Sequence, residues 1–141
     1  QIITQIAKGK NKIKLGALTP TRDFNFVADT CKAFLAVARS KNTVGEIINS
    51  ASNFEISIEK TALLISELMN HSIEIVSEEK RKRPLNSEVN RLFGSNKKIL
   101  ALTDWSLEYG GIEGFKKGLK ITIDWFTNSE NLSLYKSDYI I

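Results

Sequence analysis

The chain has 141 residues, 42% hydrophobic and 26% charged, with a net charge of +4. That length suits one domain with a modest core, and the balance excludes a disordered or collagen-like chain. The mild positive charge suits an anionic ligand without demanding nucleic acid, the lone Cys31 has no partner for an internal disulfide and points to a reducing, cytoplasmic setting, and no apolar run approaches the roughly 20 residues that cross a bilayer.

The N-terminus carries no initiator Met and no signal-peptide pattern. It reads as a helix entered partway, so the chain is expected to be a piece of something longer. Residues 1–8 are predicted helical, with Ile2, Ile3 and Ile6 on one side and Gly9 after the end. Lys12-Ile13-Lys14-Leu15 alternates as a short strand. A loop over 16–21 holds Pro20, and residues 22–26 suit a second strand. Residues 29–40 form an amphipathic helix with Cys31, Phe34, Leu35 and Ala38 on its inner face.

An isoleucine-rich strand is predicted over 45–50, turned at Ser52-Asn53 into a short strand at 55–58. Ser57 then caps a helix from Ile58 to about Asn70, with Ala62, Ile65, Leu68 and Met69 at helical spacing. Residues 72–76 alternate as a strand, 78–84 form a charged loop, and 89–93 suit a strand. Ser95 caps a helix to 102, Gly110-Gly111 breaks the chain, and a helix over 112–126 turns Ile112, Phe115, Leu119, Ile123 and Phe126 inward. The tail after Thr127 is polar, then apolar. The expected fold is α+β, small strands with three to four helices, as a single domain over 1–141.

Little in the sequence builds a catalytic centre. His71 has no Cys, His or carboxylate at metal-ligand spacing, so no metal site is expected. Cys31 has no histidine partner. There is no Gly-x-Gly-x-x-Gly phosphate loop and no Tyr-x-x-x-Lys pair: Tyr109, Tyr135 and Tyr139 all lack a lysine four places on. Three features remain. Arg22-Asp23-Phe24 follows a Pro-containing loop, and Arg22 either bridges a diphosphate with its planar fork of donors or pairs with Asp23 on the surface. Lys80-Arg81-Lys82-Arg83-Pro84 is either a solvated charge run or an anion contact. Ser87-Glu88 places a carboxylate where it can accept from ribose hydroxyls or fix an arginine.

In their order and spacing these features resemble the C-terminal part of the extended short-chain dehydrogenases/reductases, the NAD-dependent epimerase/dehydratase family. Arg22-Asp23-Phe24 with Val27 and Asp29 is similar to its Arg-Asp-aromatic-x-x-Val-x-Asp segment. Gly45-Glu46-Ile47-Ile48-Asn49 with Ser52-Asn53 resembles its Gly-x-x-x-Asn-x-Gly strand, with Ser for the usual Gly. Arg83-Pro84 with Ser87-Glu88-Val89 and Arg91-Leu92 is similar to the 4,6-dehydratases that serve legionaminic acid synthesis. Residues 105–125 resemble the closing helix.

The resemblance implies a substrate-binding role. Arg22 and Arg83 match two arginines that grip a nucleotide diphosphate, Glu88 matches an acidic residue on the ribose, and Ile13 and Leu15 lie on the strand that covers the base through its backbone. The implied ligand is a UDP- or GDP-hexosamine, and the implied parent is a lyase: NAD takes a hydride from C4, water leaves across C5–C6, and the hydride returns to C6. The NAD-binding Rossmann half would be a separate N-terminal part, so this chain should bind no cofactor, supply no catalytic group and be inactive alone. A homodimer is possible only for the parent.

Two alternatives stay open. One is a nucleotide-sugar 4-epimerase of the same family. The other is a non-catalytic interaction module, although residues 78–83 lack the interleaved aromatics of a nucleic-acid binder, so neither a nucleic-acid nor a membrane partner is expected. If the first helix normally leans on the missing sheet, Ile2, Ile3 and Ile6 would be exposed here and favour self-association.

Overall fold

The computed structural model describes residues 1–82, 84 and 87–135. It is α+β, with six helices and five strands among the described residues: α1 (Ile2–Ala7), β1 (Lys12–Leu15), β2 (Thr21–Asp23), α2 (Val27–Arg39), β3 (Glu55–Ser57), α3 (Ile58–Leu68), β4 (Glu74–Ser77), β5 (Arg91–Leu92), α4 (Lys97–Leu102), α5 (Gly111–Thr127) and α6 (Ser129–Ser133). The chain divides into two compact units: residues 1–20, 57–90 and 119–141, and residues 21–56 and 91–118.

The first unit is built on a parallel pair, β1 with β4, in the register Lys12↔Glu74 to Leu15↔Ser77. The alternation seen in the sequence places Ile13 and Leu15 in the core and leaves Lys12 and Lys14 outside. Ile3, Ile6, Ala62, Ile65 and Ile123 join them. Ser57 caps α3, its Oγ accepting from the Lys60 amide at 3.1 Å.

Ile3 and Ile6 are therefore buried, and Ile2 packs against the same cluster. The expected exposed isoleucine patch does not exist, because α1 closes on β1 and α3 within its own unit. Buried Gln5 adds a polar clamp. Its Oε1 accepts from the Lys14 amide at 3.0 Å and its Nε2 donates to the Lys14 carbonyl at 3.4 Å. The Asn11 and Leu15 carbonyls accept from the Glu74 and Glu78 amides, so Gln5 serves the opposite edge of β1.

The second unit contains the sheet order β3-β2-β5, with β2 and β5 parallel. Its core gathers Ala33, Ala36, Ile99 and Trp105, with Val37, Ile48 and Leu107 against them. Asp29 is fully buried. Its carboxylate accepts from the amides of Glu108 at 3.2 Å and Tyr109 at 2.9 Å, and its carbonyl from Trp105 Nε1 at 3.0 Å. A carboxylate so supplied can stay buried, since backbone donors replace the water it loses.

Several sequence expectations shift. Cys31, Phe34, Leu35 and Ala38 face outward from α2, and Ala33 and Ala36 face the core. The helix has two apolar faces, and the alanine face wins because small side chains let Ile99 and Trp105 approach. Residues 46–50 form no strand, for want of a ladder partner. The 22–26 strand is confined to β2, Asn96 rather than Ser95 occupies the cap of α4, Ile112 is exposed, and the tail contributes α6.

Gly16 tests the tightness of the first unit. A Cβ there would stand 2.3 Å from the Arg81 carbonyl oxygen, backbone that cannot swing away. Gly16→Ala is expected to cost about 2 kcal/mol or more by overpacking, read as a lower urea midpoint at unchanged slope.

Candidate functional site

β2 positions Arg22. Its neighbours on the sheet are β3 and β5, with Arg22 opposite Leu92. The side chain is half-buried, and its Nη1 donates to the Thr21 carbonyl at 2.8 Å. The adjacent Asp23 is an acceptor hub. Its Oδ1 takes the Ser52 amide at 2.9 Å and the Ser52 hydroxyl at 2.5 Å, and its Oδ2 takes the amides of Asn53 at 3.1 Å and Gly94 at 3.2 Å. Asn53 has a φ of 55°, a left-handed conformation that asparagine tolerates better than most residues. Asp23 thus ties β2 to the turn at 52–53 and to the chain after β5.

A second carboxylate stiffens the same sheet. Glu55 accepts from the Thr21 hydroxyl at 2.7 Å and from Arg91, Nε at 2.9 and 3.0 Å and Nη2 at 2.6 Å. The two-pronged Arg91 contact, then the Thr21 hydroxyl, hold its carboxyl at about 2. The Arg91 guanidinium also lies 4.9 Å from the centre of the Phe93 ring. Phe24, directly after Asp23, stacks on Phe115 at 5.6 Å.

Beside Asp23 a cleft of about 350 Å³ is lined by Asn25, Asn49, Ser50, Ala51, Phe93 and Gly94, among others. Asn25 Nδ2 donates to Thr30 Oγ1 and Ser50 Oγ, both at 3.0 Å, and its buried Oδ1 has no hydrogen-bond partner. Among the described residues no group of three or more His, Cys, Asp and Glu is placed to hold a metal ion.

The other sequence candidates lie in the first unit. Ile13 and Leu15 have buried side chains and lie in register with Ile75 and Ser77 of β4, and the Leu15 carbonyl accepts from the Glu78 amide. Glu88 is half-buried, beyond a turn in which the amide and hydroxyl of Ser87 donate to the Pro84 carbonyl at 2.8 and 3.0 Å. Arg83 lies outside the described residues. In the basic run before it, Arg81 pairs with Glu78 at 2.9 Å and Lys82 with Glu79, and Glu78 also takes Lys14 at 2.7 Å. Lys14 first, then Arg81, hold the Glu78 carboxyl below its usual range.

Residues 1–118 match the family model described as GDP-mannose 4,6 dehydratase. The chain belongs to the NAD-dependent epimerase/dehydratase family of extended short-chain dehydrogenases/reductases and matches its C-terminal part. It is 29% identical over 127 residues to a protein of Methanocaldococcus jannaschii provisionally named UDP-glucose 4-epimerase, covering 90% of this chain and 38% of that one. It is 29% identical over 109 residues to the GDP-6-deoxy-D-mannose reductase of Pseudomonas aeruginosa, covering 74% of this chain and 35% of that one. Its fold matches a dTDP-glucose 4,6-dehydratase of Bacillus anthracis solved with NAD, at a TM-score of 0.74 and 27% identity over 92% of this chain and 38% of that one. The chain thus spans little more than a third of the relatives it matches.

The family implies NAD, and the one glycine cluster in the sequence does not fit its pyrophosphate. The one glycine cluster, Gly110-Gly111 with Gly114, is spent on packing. A Cβ on Gly114 would stand 2.2 Å from the Tyr109 carbonyl carbon, so the missing side chain makes room for the protein's own backbone rather than for a pyrophosphate. No helix among the described residues is long and apolar enough to cross a membrane.

The sequence singles out Arg22 and gives Asp23 a part only as its surface partner in one of two readings and as a member of the family segment. The available signal was the Ser52-Asn53 turn, whose amides need an acceptor. The Glu55–Arg91 pair had no signal at all, since 36 residues separate its members. Because the folded carboxyl of Glu55 sits at about 2, below its ordinary 4.5, its contribution to stability is present above the ordinary value and lost as pH falls between the two. Glu55→Gln is expected to flatten the acid limb of the stability–pH curve in that window, with a smaller difference at high salt. Urea midpoints between pH 5 and about pH 2 check this.

Proposed function

We propose that this chain is the substrate-gripping part of an NAD-dependent nucleotide-sugar 4,6-dehydratase, acting on a UDP- or GDP-hexosamine. The observation that carries it is the match of residues 1–118 to a 4,6-dehydratase family model. Arg22, with Arg83, is assigned to the diphosphate, Glu88 to the ribose, and the backbone at Ile13 and Leu15 to the base. A guanidinium binds two phosphate oxygens in one plane, so it fixes orientation as well as charge. Asp23 acts through Arg22: by holding β2 to its neighbours it limits where the guanidinium can go. Grip on the nucleotide would then position the remote sugar for chemistry supplied elsewhere.

The cofactor-binding half of the enzyme is assigned to a separate part of the parent, which would be a lyase. A 4-epimerase is the second reading, favoured by the name of the Methanocaldococcus jannaschii relative. The two share this grip and differ in the catalytic half.

Calorimetry with UDP- and GDP-N-acetylglucosamine tests the assignment. Binding by the chain alone is expected to be weak. Arg22→Ala and Arg83→Ala should each reduce it about tenfold or more, the loss of one charge-assisted contact of about 1.5–3 kcal/mol, while Asp23→Asn weakens it less. Equal affinity for wild type and both arginine variants would sink the assignment. No 4-keto sugar should form from the chain plus NAD, and turnover by the pure chain would show that its chemistry is not supplied elsewhere.

A further inference from the structure

The Glu55–Arg91 pair is poorly placed to stabilise the fold. The Arg91 side chain is 62% exposed and that of Glu55 28%, and ion pairs open to water contribute little unless their geometry is fixed. Here the geometry is fixed. Arg91 Nε reaches the two carboxylate oxygens at 3.0 and 2.9 Å, and Nη2 reaches Oε1 at 2.6 Å. The guanidinium also rests against the Phe93 ring. A partly exposed carboxylate is thus closely oriented, and besides Arg91 it holds the Thr21 hydroxyl, 2.7 Å from Oε2.

Thr21 opens β2, lies in register with Arg91 of β5 and precedes Arg22. Its carbonyl takes Arg22 Nη1 at 2.8 Å. A relay of contacts therefore runs from Arg91 through the Glu55 carboxylate and Thr21 to the Arg22 guanidinium. Threonine is β-branched and stiff at χ1, so holding its hydroxyl holds the residue and the carbonyl with it. Asp23 ties β2 to backbone amides, whereas the Thr21 route ends on the guanidinium itself. An arginine side chain has much rotamer freedom to lose on binding, and a side chain already ordered loses less.

We propose that Thr21 is a positioning residue for nucleotide-sugar binding: held by Glu55 and Arg91, it pre-sets the Arg22 guanidinium for the diphosphate. The inference rests on the reading above that Arg22 binds the diphosphate. It goes further in assigning Thr21, Glu55 and Arg91 a part in that grip, exerted through Arg22 rather than on the ligand. Because the Arg91 end of the relay is exposed, loosening it should change binding more than it changes the fold.

Thr21→Val removes the hydroxyl and keeps the branched shape. A double-mutant cycle with Arg22→Ala, read as UDP-N-acetylglucosamine affinity of the full chain, separates positioning from other roles. Thr21→Val is expected to weaken binding about fivefold, a part of the rotamer freedom of one arginine, and to have no further effect once Arg22 is alanine. An equal loss in both backgrounds overturns the proposal, because Thr21 would then act on the ligand or the fold directly. Wild-type affinity in Thr21→Val, where Arg22→Ala weakens binding, overturns it and leaves the diphosphate reading standing. Wild-type affinity in Arg22→Ala removes the diphosphate reading and the proposal with it.

If binding by the chain is too weak to titrate, NMR of the Arg22 side chain decides. The heteronuclear NOE of its Nε–H group reports motion on the picosecond to nanosecond scale. It should drop in Thr21→Val, while that of Arg39, outside the relay at the end of α2, stays as in wild type. An Arg22 value unchanged by the substitution overturns the proposal. Should Thr21→Val fail to fold, Arg91→Lys takes its place in both measurements with the same expected outcomes, since lysine keeps the charge and loses the fork that orients Glu55.

Discussion

The carboxylate of Asp23 gathers four donors from two distant stretches of chain, the turn at Ser52-Asn53 and the amide of Gly94. Without it, strands of two or three residues would have little to hold them in register, because such short ladders are marginal. Glu55 repeats the device across the same small sheet, joining Thr21 to Arg91. On β2, Arg22 lies between Thr21, which donates to Glu55, and Asp23. Its strand is held by the two carboxylates, and its own Nη1 donates to the Thr21 carbonyl.

Asp29 shows the same logic in a drier setting. It is fully buried, receives the amides of Glu108 and Tyr109, and so fixes the segment that leads into α5. Gly114 then lets the helix close onto the Tyr109 backbone, and Phe26 lies against the Tyr109 ring at 4.3 Å. Three aspartate and glutamate side chains in the second unit are thus acceptors for the chain itself. The first unit relies instead on isoleucine packing, with buried Gln5 clamping β1.

Much of the fold was legible because it depends on local rules. The alternation at Lys12-Ile13-Lys14-Leu15, the Ser57 cap and the spacing in α3 all act within a few residues, and each element formed where expected. The candidate site was legible only in part. Arg22 announced itself through its neighbours and its match to a family pattern, whereas the work of Asp23 and the Glu55–Arg91 pair depends on groups 29 to 71 residues away. Sequence spacing carries no information about such pairs until the chain has folded.

The amino-acid sequence by itself determined the periods of the helices and strands, the absence of a phosphate loop and a Tyr-x-x-x-Lys pair, and the family. Only the tertiary structure decided which face of α2 goes inward, since a helix with apolar residues on both sides has no local reason to prefer one. Packing against Ile99 and Trp105 chose the alanines. It also decided that Ile2, Ile3 and Ile6 are covered and that 46–50 stays unpaired. A strand exists only when another strand supplies its hydrogen bonds, so the sequence can specify its side chains but not its partner.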